Sequence, residues 1–417
     1  MTKETRHVFF ELGKLQPEVE SFFRPLAAQH SWSASATAIT AAWLKLGLRA
    51  RSITRDYQWG TKVPLPGFDD KVVYSWFDAP IGYVSITACY TDQWERWWRD
   101  PDNVQLYQFM GKDNVVFHSV IFPASQIGTH DRWTKIHHLS ACDYLTYEGG
   151  KFSKSRGIGV FGDSAQNSGV SADVWRYYLL SHRPESGDSD FEWGAFILAN
   201  NTMLLNNLGN FVSRVLKFVA GKHYNGIVPS SGDYHQISSF KALKDEASVL
   251  LAQYIRELDA VKLRAGIATV LQISQLGNGF LQSNSLSNRL AEEEPQRCSA
   301  VVSYAVNLIH LLASLIAPYM PDTAASINKQ LNAAPLPIPD QWNVDSIKPG
   351  HKIGVPEFLF RRIPPEKADE WRELFGNQEA KKAKDEEVSK RAAKKAAKQE
   401  AAKKSTNAAV DESKIEE

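Results

Sequence analysis

The hydrophobic pattern of this chain changes period near residue 193, and no other feature restricts the fold as much. From about Val8 to Trp193, short β-prone runs such as Val72 to Phe77 and Val115 to Phe117 alternate with turn clusters and helical stretches. That texture predicts an α/β domain. From about Ala195 to Tyr319 apolar residues recur at helical spacing: Leu204, Leu208, Phe211 and Val215, then Val301, Ala305, Leu308, Leu312 and Leu315. This predicts a helix bundle. Past Arg362 the chain turns polar, and from about Lys381 to Lys404 it is a run of alanine, lysine and glutamate without an apolar stripe. Such a run predicts a solvated helix or a disordered tail. The expected organisation is therefore 1–193, 194–362 and a charged tail, 363–417.

A length of 417 residues leaves room for two or three domains, and a net charge of +1 carries no global signature of a nucleic-acid partner. Three cysteines, Cys89, Cys142 and Cys298, are odd in number and far apart. They encode neither a disulfide framework nor a zinc knuckle, so a reducing, cytoplasmic compartment is expected. The start lacks an apolar signal core, and the run Leu308 to Ala317 is too short to cross a bilayer and contains His310. No membrane role and no metal site are expected.

Chemistry concentrates in Gly149-Gly150-Lys151-Phe152-Ser153-Lys154-Ser155, where glycines flank two lysines and two serines. Mobile ammonium groups in such a loop can follow the negative charge that builds on a departing polyphosphate. Taken alone, so short a pattern is more often a solvated surface loop, because lysine-serine loops are common. Two upstream segments add to it: Lys71-Val-Val-Tyr-Ser-Trp-Phe-Asp-Ala-Pro-Ile-Gly-Tyr83 and Phe109-Met-Gly-Lys-Asp-Asn-Val-Val-Phe-His-Ser119. Read as a strand ending at Asp78, the first places Tyr74, Trp76 and Asp78 on one face.

In this order and at these separations, the three segments resemble the second half of methionyl-tRNA synthetases, and the loop resembles the K-M-S-K-S signature of class I synthetases with Phe152 in place of methionine. The resemblance runs from about Arg6 to about Arg362. It implies a partial Rossmann-type catalytic domain followed by an all-α anticodon-binding helix bundle, and the activity of a methionine–tRNA ligase using ATP with Mg2+, methionine and tRNA(Met). By the same resemblance Lys151 and Lys154 are the catalytic lysines, and Gly111, Asp113, Leu145 and Lys154 bind ATP. Asp113 would hold the ribose, and Tyr144-Leu145 would pass the adenine edge, chiefly through the Leu145 backbone. Trp76, Ala79, Pro80, Tyr83, Asn114, Phe117, His118 and Phe122 would line the methionine pocket, with His118 or Tyr83 offering a polar contact to the sulfur. Asn210 and Arg214 match anticodon-reading positions, with Asn206 on the same face.

Departures from the family pattern shape a second expectation. Asn114 and Phe122 stand where bacterial-type members carry an aliphatic residue and a tryptophan, and Gln282 to Ser287 lacks a stacking tryptophan. No His-x-Gly-His motif is present. The chain is thus expected to lack the N-terminal half of the catalytic domain, leaving the ATP site with one wall. The alternative is a catalytically incomplete tRNA-binding or assembly module. A weaker one is a class I synthetase for a neighbouring apolar amino acid. The lysine-rich tail is expected either to add salt-sensitive attraction to tRNA or to link to a protein partner.

Overall fold

The computed structural model describes residues 4–156 and 158–375; the Lys381 to Lys404 run lies outside them. The chain forms two compact units. The first comprises the described residues up to Tyr144 together with Arg183–Ser189, and the second those of Leu145–His182 and from Asp190 onward. The division falls after Tyr144, with Arg183–Ser189 returning to the first unit.

The first unit is built around a parallel strand pair, Leu106–Gly111 with Ile136–Cys142. A parallel pair needs a crossover, and its faces need covering. The crossover is helical throughout much of its length: a 3₁₀ turn at Lys112–Asn114, a π-helical turn at Phe117–Ile121 and an α-helix at Phe122–Gly128. Helices Leu12–Ala28 and Ala34–Leu46 complete the layer, with Leu12, Val19, Val115, Val120, Phe122 and Leu139 fully buried. The Ser33 side chain starts the second of these helices by accepting from Ala36 N at 3.4 Å. It also accepts from Ala141 N at 2.9 Å, tying the helix start to the strand.

Two expected strands are helical instead. Only Val72–Val73 of the Val72 to Phe77 run pairs as strand, with Thr54–Arg55, and Ser75–Tyr90 is a helix. The Val115 to Phe117 run continues the helical crossover after its opening 3₁₀ turn. Aromatic and β-branched residues favour strands only where a pleated surface receives them. Here a different period governs: Trp76, Ala79, Pro80 and Tyr83 stand at i, i+3, i+4 and i+7, one face of a helix. Asp78 in the first turn complements the helix dipole.

The second unit contains the bundle. Leu204, Leu208, Phe211 and Val215 are fully buried, as are Val301, Ala305, Leu308, Leu312 and Leu315. The central helix, Pro295–Ile316, is apolar and long enough to cross a membrane by length and composition, yet its most apolar window is 94% buried inside the unit. The chain approaches closely at Gly277, where a Cβ would press into the Phe211 ring. Residues expected to open the polar tail are ordered into a helix, Lys367–Phe375, whose Trp371 is buried 4.7 Å from the Trp193 ring.

Candidate active site and candidate RNA-reading helix

The Ser75–Tyr90 helix and the crossover bring most of the expected methionine-pocket residues together. The Trp76 and Phe117 rings lie 4.1 Å apart, and Tyr83 is 5.6 Å from the His118 ring and 6.4 Å from Phe122. Pro80, His118 and Phe122 are buried, whereas Trp76, Ala79, Tyr83 and Asn114 are exposed. A cavity of about 410 Å³ opens beside Tyr74, Trp76 and Phe77.

Hydrogen bonding defines the histidine. His118 Nδ1 lies 2.8 Å from the Asn114 carbonyl, so it must carry the proton there, and Nε2, 2.9 Å from the Tyr83 hydroxyl, accepts. The Nδ1 proton of His118 and the Tyr83 hydroxyl proton are thereby both committed within the pair and its backbone partner. Burial holds the His118 pKa below its ordinary 6.5, the Asn114 bond opposing this only in part. A depressed histidine pKa gives stability that is complete above the unfolded value near 6.5 and is lost as pH falls through the folded one. We expect a ring-proton NMR titration to place His118 below 6.5, with the urea midpoint falling over the same range; a midpoint at or above 6.5 contradicts the burial of the ring.

At the carboxyl end of the Leu106–Gly111 strand, where ligands of parallel sheets collect, Gly111 and Asp113 are exposed. The Tyr144 hydroxyl donates to the Asp113 carboxylate at 2.7 Å, and that bond raises the Tyr144 pKa. Lys112 pairs with Asp188 at 2.8 Å and Asp143 at 3.3 Å, and lies over the Tyr144 ring. Sequence reasoning did not find Tyr144, Asp143 or Asp188 as partners here, because nothing local links Asp188 to Lys112 across 76 positions.

In the second unit, Leu145 belongs to a short strand that leads into the lysine loop. The loop begins with a tight turn: Tyr147 and Gly150 exchange backbone bonds at 2.8 and 2.9 Å, and Glu148 and Gly149 both have positive φ, 48° and 77°. Ser153 and Ile158 then bond reciprocally at 2.9 Å, closing a 3₁₀ turn at Lys154–Arg156. Phe152 anchors the segment, its ring 5.4 Å from Tyr147 and 5.8 Å from Phe161. Gly159, at φ +111°, leaves room for that ring, since a Cβ there would collide with it. Lys151 and Lys154 are exposed, and among the described residues no hydrogen bond or ion pair holds either side chain back from a ligand.

On the bundle side, Asn206, Asn210 and Arg214 are all exposed. Asn210 and Arg214 share an α-helix, Asn210–Ala220, but Asn206 lies in a π-helical stretch, Asn200–Gly209, which shifts it out of the regular i, i+4, i+8 row. Arg214 Nη2 donates to the Leu286 carbonyl at 3.0 Å, in the Gln282 to Ser287 segment. Asn206 borders a groove of about 450 Å³ together with Asn201, Thr202 and Arg362.

Residues 1–216 match the family described as tRNA synthetases class I (M), and residues 228–380 match the anticodon binding domain of methionyl tRNA ligase. Asn210 and Arg214 thus fall within the first match. The chain is 53% identical over 377 residues to a probable cytoplasmic methionine–tRNA ligase of Schizosaccharomyces pombe, covering 90% of this chain and 48% of that one. It is 49% identical to the cytoplasmic methionine–tRNA ligase of Saccharomyces cerevisiae, covering 90% and 50%. The chain spans about half the length of the curated relatives it matches. Mycobacterium tuberculosis methionyl-tRNA synthetase in complex with methionyl-adenylate superposes with a TM-score of 0.74 at 24% identity, over 86% of this chain and 69% of that one, a likeness of fold. An α/β class I catalytic portion followed by a helical anticodon-binding domain is therefore the architecture, and the chain belongs to the methionyl-tRNA synthetases of class I.

Proposed function

We propose that this chain supplies the methionine pocket, part of the ATP site and the anticodon-reading helix of a cytoplasmic methionine–tRNA ligase. The observation that supports it most is the packing of the Ser75–Tyr90 helix on the crossover through aromatic rings, Trp76 on Phe117 and Tyr83 on His118 and Phe122, with Trp76 also lining a cavity. Sulfur–ring contacts contribute roughly 0.3–1.5 kcal/mol each, so an aromatic box suits a thioether. The methionine carboxylate attacks the α-phosphate of ATP, a P–O bond forms to give methionyl-adenylate, and pyrophosphate leaves with the electron pair. Lys154, joined by Lys151, stabilises the charge on that leaving group. A terminal ribose hydroxyl of tRNA then attacks the adenylate carbonyl and AMP departs. Asp113 and the Gly111 backbone hold the ribose, and the Leu145 backbone meets the adenine. ATP enters with Mg2+, and the tail beyond residue 375 adds salt-sensitive attraction to tRNA.

The test is methionine-dependent exchange of pyrophosphate into ATP, measured on this chain and on a form extended by the portion of its relatives that it does not span. Exchange in the extended form supports the ligase. A folded extended form without exchange, still able to bind an anticodon stem-loop, leaves a tRNA-binding module instead.

Splayed anticodon bases are read on their edges by side chains such as Asn210 and Arg214. We expect Arg214→Ala to weaken binding of a CAU stem-loop by about 1–3 kcal/mol, and to reduce its preference over a scrambled loop. Equal weakening for both loops would limit Arg214 to a backbone contact.

A further inference from the structure

We propose that the Lys367–Phe375 helix is a latch that positions the lysine loop, with Arg372 and the Phe375 carbonyl holding its two ends. The proposal rests on the reading of that loop as the polyphosphate site.

The near end is Glu148, the first residue of the tight turn. Its side chain is 10% exposed, with Oε1 accepting from Trp193 N at 2.8 Å and Oε2 from Arg372 Nε at 3.1 Å. The far end is Gly159, whose N–H donates to the Phe375 carbonyl at 3.0 Å. Between these anchors lie ten positions that include both exposed lysines. The helix is itself seated by Trp371, 4% exposed, and by Phe375, each packed on the Trp193 ring at 4.7 and 5.9 Å. Arg372 is further oriented by Asp369 at 2.9 Å.

A loop tied at both ends to one rigid element samples fewer conformations than one tied at a single end, so its lysines spend more time where a phosphate can meet them. The side chain of Arg372 touches no reacting atom. It acts through Glu148 and is a positioning residue.

Hydrogen exchange on the full chain tests this directly. Arg372→Ala is expected to speed exchange of the amides between Gly149 and Ile158 by about fivefold, the effect of losing one partly exposed ion pair, while the Pro295–Ile316 helix keeps its protection. Arg372→Lys should restore part of that protection. Trp371→Ala, which unseats the helix without touching Glu148, should produce the same loosening. In the extended form Arg372→Ala should lower kcat of pyrophosphate exchange and leave the KM for methionine unchanged. Unaltered loop exchange in both Arg372→Ala and Trp371→Ala overturns the latch. Faster loop exchange with an unchanged kcat keeps the latch and refutes the phosphate role of the loop.

Discussion

Lys154→Ala should lower methionine-dependent pyrophosphate exchange by about 10²–10³, equivalent to about 2.7–4 kcal/mol, the loss typical of one preorganised oxyanion donor. The side chain is exposed, so its removal leaves the fold intact and the effect falls on chemistry. Ground-state binding of methionine should be unchanged, because the charge that Lys154 meets develops only as pyrophosphate departs. Lys151→Ala should cost less, since Lys151 joins only as the loop closes. The measurement is exchange kinetics in the extended form, with urea midpoints as a control for folding. Wild-type kcat in the Lys154→Ala variant would remove the loop from the mechanism.

Trp193→Ala should destabilise the second unit by about 3–5 kcal/mol, as large-to-small changes at buried aromatics do. Trp193 is fully buried among Trp175, Phe191, Phe196, Trp371 and Phe375, with ring centroids 4.7–5.9 Å away. Its Nε1 donates to the Tyr147 hydroxyl at 2.8 Å, and burial raises the Tyr147 pKa to about 12. Removing the indole therefore leaves a cavity and an unpaired buried hydroxyl together. Trp193→Phe separates the two, keeping most ring contacts while orphaning Tyr147, and should cost about 1–3 kcal/mol. Urea denaturation followed by circular dichroism reads both. A loss below about 1 kcal/mol for the alanine variant would mean that the site collapses to fill the void. The same substitution removes the seat of the Lys367–Phe375 helix, so loop exchange should rise with it.

Much of the bundle was legible in the sequence. A helix buries a fixed angular stripe, and the residues from Leu204 to Val215 and from Val301 to Leu315 record that stripe directly. The lysine loop was legible too, because glycine at Gly149 marks a backbone that must reach positive φ. The family segments named the residues expected in the pocket. Their conformation was another matter: Val72 to Phe77 has the composition of a strand, yet the structure makes most of it helix, with Trp76, Ala79, Pro80 and Tyr83 aligned at a period that the aromatic content obscured. Propensity is a local quantity, and packing overrode it.

The sequence by itself determined the helical stripes, the loop and the family to which the chain belongs, since each is written in residues close together or in a recognisable order. Only the tertiary structure decided that Tyr83 and His118 satisfy each other, that Tyr144 holds Asp113, and that Arg372 reaches Glu148 across 224 positions. The reason is physical. A buried or half-buried polar atom takes whichever partner the chain path delivers, and that path is set by the burial of the whole apolar core, not by any stretch of sequence around the atom.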